Sequence, residues 1–209
     1  MDRFAELFNR WRNSKEEYTS NFSEDGIIDE KKWNISSKKK VLVVLKETNN
    51  YSKDLRALIR DDWKGAKNYL WKNVGRWVYG IQNTTKAFIP DRSDADVYRN
   101  EALLSSAVIN LKKTKGRSNS DMNEVRKYAI EDANFIREEF NLINPEVIIC
   151  GYTFGIVKEI LGINSSSLNN EHRIFIFNNR KFINYWHPAA HYPADMSYYT
   201  LSALYQKGL

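Results

Sequence analysis

The 209-residue chain is 42% hydrophobic and 28% charged, and its 32 Lys and Arg against 26 Asp and Glu give a net charge of +6. That length suits one domain able to bury its own core. A single cysteine, Cys150, excludes an intramolecular disulfide and any four-cysteine zinc or iron–sulfur site. With only three histidines besides, no metal and no cofactor is expected. No apolar run approaches the roughly 20 residues of a membrane span, and the charged first dozen residues lack a signal-peptide core. A cytoplasmic protein with no membrane partner is therefore expected. The basic balance favours a polyanionic partner by screened Coulomb attraction. Six Trp, twelve Tyr and ten Phe serve a base-stacking surface or an ordinary core equally well.

In chain order, residues 2–20 read as an amphipathic helix, with Phe4, Leu7, Phe8, Trp11 and Tyr18 recurring at three-to-four spacing. Residues 21–40 are polar, end in Lys38-Lys39-Lys40 and read as a connector. Residues 1–36 are thereby set apart as a helical extension of a domain spanning 37–209. Val41-Leu42-Val43-Val44-Leu45 is a strand buried on both faces. It stops at the polar loop Lys46-Glu47-Thr48-Asn49-Asn50, and Leu55, Leu58 and Ile59 suggest a short helix. Residues 61–90 read as helical, with breaks at Gly65 and Gly75. Ser106 to Leu111 is a second strand running into a basic loop, Lys112 to Arg117. Asp121 with Glu124 makes a capping-box pattern. One helical face then carries Val125, Tyr128, Ala129, Ala133, Ile136 and Phe140. Pro145 opens a third buried strand, Val147 to Cys150, ended by Gly151. Phe154 to Leu161 is a helix closed by Gly162, and residues 163–171 are a polar loop. Arg173 to Phe177 and Lys181 to Tyr185 flank Asn178-Asn179 as a hairpin. A last helix begins near Asp195.

Strands alternating with helices imply an α/β fold, a mostly parallel sheet with helices on both faces. Ligands of such sheets bind at the carboxyl ends of the strands. Residues 46–51, 110–117 and 186–193 fall there. Glu47 is placed either to orient or deprotonate a water, or as a helix cap or solvated charge. Asn110 ends an apolar strand, and its carboxamide either reads a base edge or ties down a loop. His187, held extended by Pro188, either donates to a developing oxyanion or is a core histidine satisfied by a carbonyl. His191, Tyr192 and Pro193 form a rigid tip suited to wedging into a base stack, or a plain surface turn. Lys112, Lys113, Lys115 and Arg117 either meet phosphates or form a solvated basic face.

Taken in order, these segments resemble the uracil-DNA glycosylase superfamily over roughly residues 38–205. The nearest branch is the thermophile type, whose first motif reads Gly-Glu-Ala-Pro-Gly. The matching stretches are Lys46-Glu47-Thr48-Asn49-Asn50, Ile109-Asn110-Leu111-Lys112-Lys113, Asn144-Pro145 through Gly151, and His187-Pro188-Ala189. The first motif keeps only its glutamate here. Glycine at that motif permits close backbone approach, so a pocket floor of different shape is expected. The branch's four cluster cysteines are absent, so no iron–sulfur cluster is expected. The resemblance implies a three-layer α/β/α fold around a mostly parallel four-stranded sheet. It also implies hydrolysis of the N-glycosidic bond of a flipped-out base. The base would be uracil or another modified pyrimidine, such as the glucosylated hydroxymethylcytosine of a phage genome. In that pattern Glu47 and His187 are catalytic, and Asn110 reads the base. Tyr51, or next Trp77, stacks on it. Lys112, Lys113, Lys115, Arg117, His191 and Tyr192 face DNA. No lysine is placed as a Schiff-base nucleophile, so a monofunctional enzyme without strand cleavage is expected; a monomer is expected as well. A catalytically silent nucleic-acid-binding protein and a nucleoside-processing α/β enzyme are the alternatives.

Overall fold

The apolar runs become neighbouring strands because each is flat, β-branched and able to bury both faces. A computed structural model describes residues 3–35, 37–61, 68–164 and 173–209. Its strands are β1 (Gly26–Ile27), β2 (Val41–Asn49), β3 (Ala107–Gly116), β4 (Val147–Gly151), β5 (Ile174–Phe177) and β6 (Arg180–Tyr185). They form one six-stranded sheet in the order β1-β3-β2-β4-β6-β5. The inner four pair in parallel, while β1 and β5 pair antiparallel at the two edges. The α/β class stands, but the expected four-stranded, mostly parallel sheet is corrected to a six-stranded mixed one. The reasons are local: β1 is two residues long and hidden in the polar connector, and the hairpin return adds an antiparallel edge.

Strand alternation divides the core in two. Leu42, Val44, Ile109, Leu111, Ile148 and Cys150 face one cluster. It is covered by α1 (Arg3–Arg12), α6 (Met122–Glu131), α7 (Ala133–Ile143) and α8 (Phe154–Leu161). Val41, Val43, Leu45, Val108 and Ile149 face the other. That side carries α3 (Leu55–Asp61), α4 (Tyr69–Asn83), α5 (Arg92–Leu104) and α9 (Ala194–Lys207). The polar connector contains α2 (Glu30–Ile35), which buries Trp33. Phe4, Phe8, Trp11, Tyr18 and Phe22 share a cluster with Ile136 and Phe140, so residues 3–35 belong to the same core.

Several expectations change in detail. The first helix stops at Arg12, and Tyr18 lies in a separate 3-10 turn, Glu16–Thr19. The helix read across 121–140 is two, α6 and α7, meeting at Asp132. There the buried Asp132 carboxylate accepts the Tyr18 hydroxyl. Asp121 caps α6 by accepting from the Asn123 and Glu124 backbone N–H groups, but the Glu124 side chain goes to Lys112 instead of closing a reciprocal box. The stretch read as a basic loop is the continuation of β3 to Gly116. Helix α4 runs unbroken through Gly75, and the glycine is there for packing: a Cβ would lie 2.3 Å from the Arg99 carbonyl oxygen of α5. The expected break at Gly65, and Trp63, lie outside the described residues. The hairpin turns through Asn178 and Asn179 at φ of +48° and +60°, the conformation of a tight two-residue turn. No helix among the described residues is long and apolar enough to cross a membrane.

Candidate active site at the carboxyl ends of the central strands

The ends of β2 and β3 open onto a cavity of about 170 Å³. Glu47, Tyr51, Leu55, Leu58, Trp71 and Asn110 line it. It is smaller than the cleft of a drug-sized ligand and suits a single planar ring. Three of the residues singled out from the sequence, Glu47, Tyr51 and Asn110, therefore meet in one place. Leu55, Leu58 and Trp71 supply apolar walls from α3 and α4, and Tyr51 is tethered by donating its hydroxyl to the Asp54 carbonyl at 3.0 Å.

Asn110 is buried, and its orientation is fixed from an unexpected direction. Its backbone N–H and its Nδ2 both donate to Asp25 Oδ2, at 2.7 and 3.2 Å. Asp25 directly precedes β1, which pairs with β3 opposite Ala107 and Val108. The short edge strand thus carries the carboxylate that sets the carboxamide. An amide held this way presents a defined donor and acceptor to a ring.

Glu47 is not a free base. Its carboxylate side chain is 3% exposed, with Oε2 accepting from Lys112 Nζ at 2.9 Å and Oε1 from the Arg117 backbone N–H at 3.3 Å. A bulge after Glu47 shifts the β2–β3 register and lets the side chain lie against Gly116. A Cβ at Gly116 would come within 2.0 Å of the Glu47 carboxylate carbon. Lys112 also donates to Glu124 at 2.8 Å. Burial pulls its ammonium down, but the Glu124 and Glu47 carboxylates outweigh that and hold it above its ordinary value. Glu47 is consequently held at the cavity wall by two donors.

His187 closes the end of β6. Burial, and secondarily the charge of Lys46, push its imidazole down to about 4. It is neutral at pH 7. Its Nδ1 accepts the Ala189 backbone N–H at 3.3 Å, which assigns the ring proton to Nε2 as a donor. Between His187 and β2 stand two residues the sequence reading did not single out. Lys46 Nζ lies 5.0 Å from the ring centroid of Tyr152. Tyr152 is 64% exposed and holds φ at +64°, sparse territory for an aromatic residue. Tyr152 follows directly on β4 and Lys46 directly on the buried apolar run within β2, the same positional signal that marked Glu47. Asp25 had no such signal, since only the tertiary pairing of β1 brings it near.

Other candidates are placed elsewhere. Trp77 is 2% exposed in the core, its indole N–H donating to Ser197 at 2.9 Å and its ring edge-on to Tyr185, so it cannot stack on a base. Lys112 and Lys113 do not face solvent, which corrects their reading as DNA contacts. Lys112 is engaged as above, and Lys113 is wholly buried between Asp25 and Glu139 because it points inward from β3. Lys115 and Arg117 are exposed at the strand end. His191 and Tyr192 are exposed too, within an aromatic stack: Tyr69 lies 6.1 Å from His191 and Trp186 lies 4.2 Å from Tyr192, centroid to centroid. The Tyr69 hydroxyl donates to the Tyr192 carbonyl at 2.9 Å, fixing the 187–193 loop to α4. Among the described residues no cluster of three or more His, Cys, Asp or Glu could hold a metal ion. Burial raises the Cys150 thiol, which keeps it unreactive.

No protein-family model matches the chain, and no curated protein is significantly similar to it.

Proposed function

We propose that the chain is a DNA glycosylase that hydrolyses the N-glycosidic bond of a flipped-out uracil or other modified pyrimidine. The observation that carries this reading is the convergence of Glu47, Tyr51 and Asn110 on one ring-sized cavity at the strand ends, with a neutral His187 at the next strand end but one. Cleavage of this bond builds positive charge on the sugar and negative charge on the departing base. A neutral Nε2–H donor at His187 stabilises the base anion more than the intact base, which is how a donor lowers a barrier. The Glu47 carboxylate supplies negative charge near the sugar and an acceptor for the attacking water. Tyr51 stacks on the ring and Asn110 reads its edge. Lys115, Arg117, His191 and Tyr192 are the exposed groups left to meet the strand, with the chain acting as a cytoplasmic monomer in repair or in defence against modified phage DNA.

One observation favours a second reading. The Lys112 ion pair engages the Glu47 carboxylate, as expected of a silent protein that binds modified DNA without cleaving it. A glycosylase assay separates the two. Labelled DNAs would carry uracil (single-stranded, opposite guanine, opposite adenine), hypoxanthine, or hydroxymethylated or glucosylated cytosine, with alkali to reveal abasic sites. One member should be cleaved, and His187→Ala should slow that cleavage about 10²–10³-fold, the usual cost of a lost oxyanion donor. Glu47→Ala should slow it further. Tight, salt-sensitive binding with no cleavage of any member would instead support the silent reading.

A further inference from the structure

We propose that Lys46 is an amine nucleophile that captures the abasic sugar and gives the chain a DNA-lyase activity after base release. This rests on reading the strand ends as a site for a deoxyribose. The resemblance to monofunctional glycosylases supplies no such amine. The residue is this chain's own.

Placement carries the inference. Lys46 adjoins Glu47 at the carboxyl end of β2, and its ammonium lies over Tyr152 at the end of β4, within electrostatic reach of His187 at the end of β6. Lys46 does not itself line the ring-sized cavity; it stands next to Glu47, which does, and near Tyr152 and His187, and the abasic sugar is placed among these groups. The other lysines of this end are engaged or stand on the β3 side of β2, away from Tyr152 and His187. Lys112 is held by Glu47 and Glu124, Lys113 is sealed between Asp25 and Glu139, and Lys115 is exposed at the far rim of β3. Among the described residues no carboxylate forms an ion pair with Lys46, because Glu47 is already turned to Lys112. Partial burial holds the Lys46 ammonium below its ordinary value, the Glu47 charge only partly opposing. A desolvated lysine without a counter-ion is the usual form of an activated amine.

The chemistry balances without an added oxidant or reductant. The unprotonated Nζ adds to C1′ of the ring-opened abasic aldehyde, and loss of water leaves a protonated imine between C1′ and Nζ. The imine acidifies C2′, whose proton passes to water. The electron pair left behind forms the C2′–C3′ double bond, and the C3′–O bond breaks with the phosphate as leaving group. Water then hydrolyses the imine, returning the amine and leaving an unsaturated aldehyde on the cleaved strand.

The test supplies the sugar directly, as a labelled oligonucleotide with one preformed abasic site, incubated with the full chain and sodium borohydride. Hydride reduces the imine to a stable secondary amine, seen as a shifted band in denaturing gels. Wild type should form the adduct. Lys46→Gln and the charge-preserving Lys46→Arg should each lose it at least tenfold. Trypsin cannot cut after the modified lysine, so the wild-type adduct should map by mass spectrometry to residues 41–53 with Lys46 uncut. This readout does not depend on the variants folding. Absence of an adduct, equal adduct in Lys46→Arg, or an adduct mapped to another amine overturns the proposal. Capture at Lys46 by a chain that releases no base would sustain it while removing the glycosylase reading. Base release without capture would remove the lyase alone.

Discussion

His187 shows how one residue's surroundings choose its chemistry. An imidazole in water carries a proton below about pH 6.5, and as a cation it would already be charged before the base departs. Burial and the neighbouring Lys46 push His187 down to about 4 instead, so in the proposed reaction it would act as a neutral donor. The consequence is a displaced acid limb. The rate of base release should stay level from pH 8 to pH 5 as far as His187 is concerned and change only as pH approaches 4. The imidazole resonances of His187, followed by NMR, should titrate with the same midpoint. A midpoint near 6.5 would mean that the ring is solvated and that the site is arranged differently. The same shift has a stability sign. Between about pH 6.5 and 4 the unfolded chain takes a proton that the folded one refuses, so folding weakens as pH falls through that window.

At the scale of elements, α4 shows the difference between a pattern and a contact. Trp71, Val74, Trp77, Val78 and Ile81 recur at helical spacing and mark the buried face, so the helix itself was legible. Gly75 read as a break, yet the α5 backbone passes so close that no side chain fits there. Gly75→Ala should force the two helices apart and cost about 1–3 kcal/mol, the range for overpacking, as a lower urea midpoint with little change in slope. An unchanged midpoint would mean that the α4–α5 crossing is looser than described. The site was legible in the same uneven way. Glu47 and His187 follow apolar strand runs, where position alone points to function, and Asn110 interrupts such a run although β3 continues past it to Gly116. The burial of Lys112 and Lys113 was hidden, because a run of lysines looks solvated until its carboxylate partners arrive from residues 25, 47, 124 and 139. Nothing local to those partners announces the pairing. Of the two edge strands, β5 was legible as one arm of the 173–185 hairpin, whereas β1 is too short to carry a period and owes its place to the distant β3.

Across the whole molecule, one buried cluster ties the N-terminal segment to the sheet and the site. Asp25 precedes β1, Lys113 comes from β3 and Glu139 from α7, and Lys113 Nζ donates to Glu139 Oε2 at 2.8 Å and also to Asp25. Two carboxylates against one ammonium leave an excess negative charge in a dry interior, which is expensive. The cluster relieves it by keeping a proton. Burial, partly opposed by Lys113 and reinforced by Asp25, raises the Glu139 carboxyl to about 8. From its ordinary value of 4.5 up to that point, the folded chain holds a proton that the unfolded chain releases, so stability declines as pH rises through the window. This slope opposes that of His187 below pH 6.5 and stands apart from it above, so urea melts at pH 6.5, 7.5 and 8.5 isolate it. Wild type should weaken by about 1 kcal/mol for each pH unit until the proton is lost. Glu139→Gln, which keeps a neutral group of the same shape, should abolish most of that decline. Lys113→Met should cost about 3–5 kcal/mol, since it strands the carboxylates without their cation. Because Asp25 also fixes Asn110, Lys113→Met should loosen Asn110, and under the proposed function base discrimination should fall along with stability. A Glu139→Gln curve parallel to wild type above pH 6.5 would place the retained proton on another group.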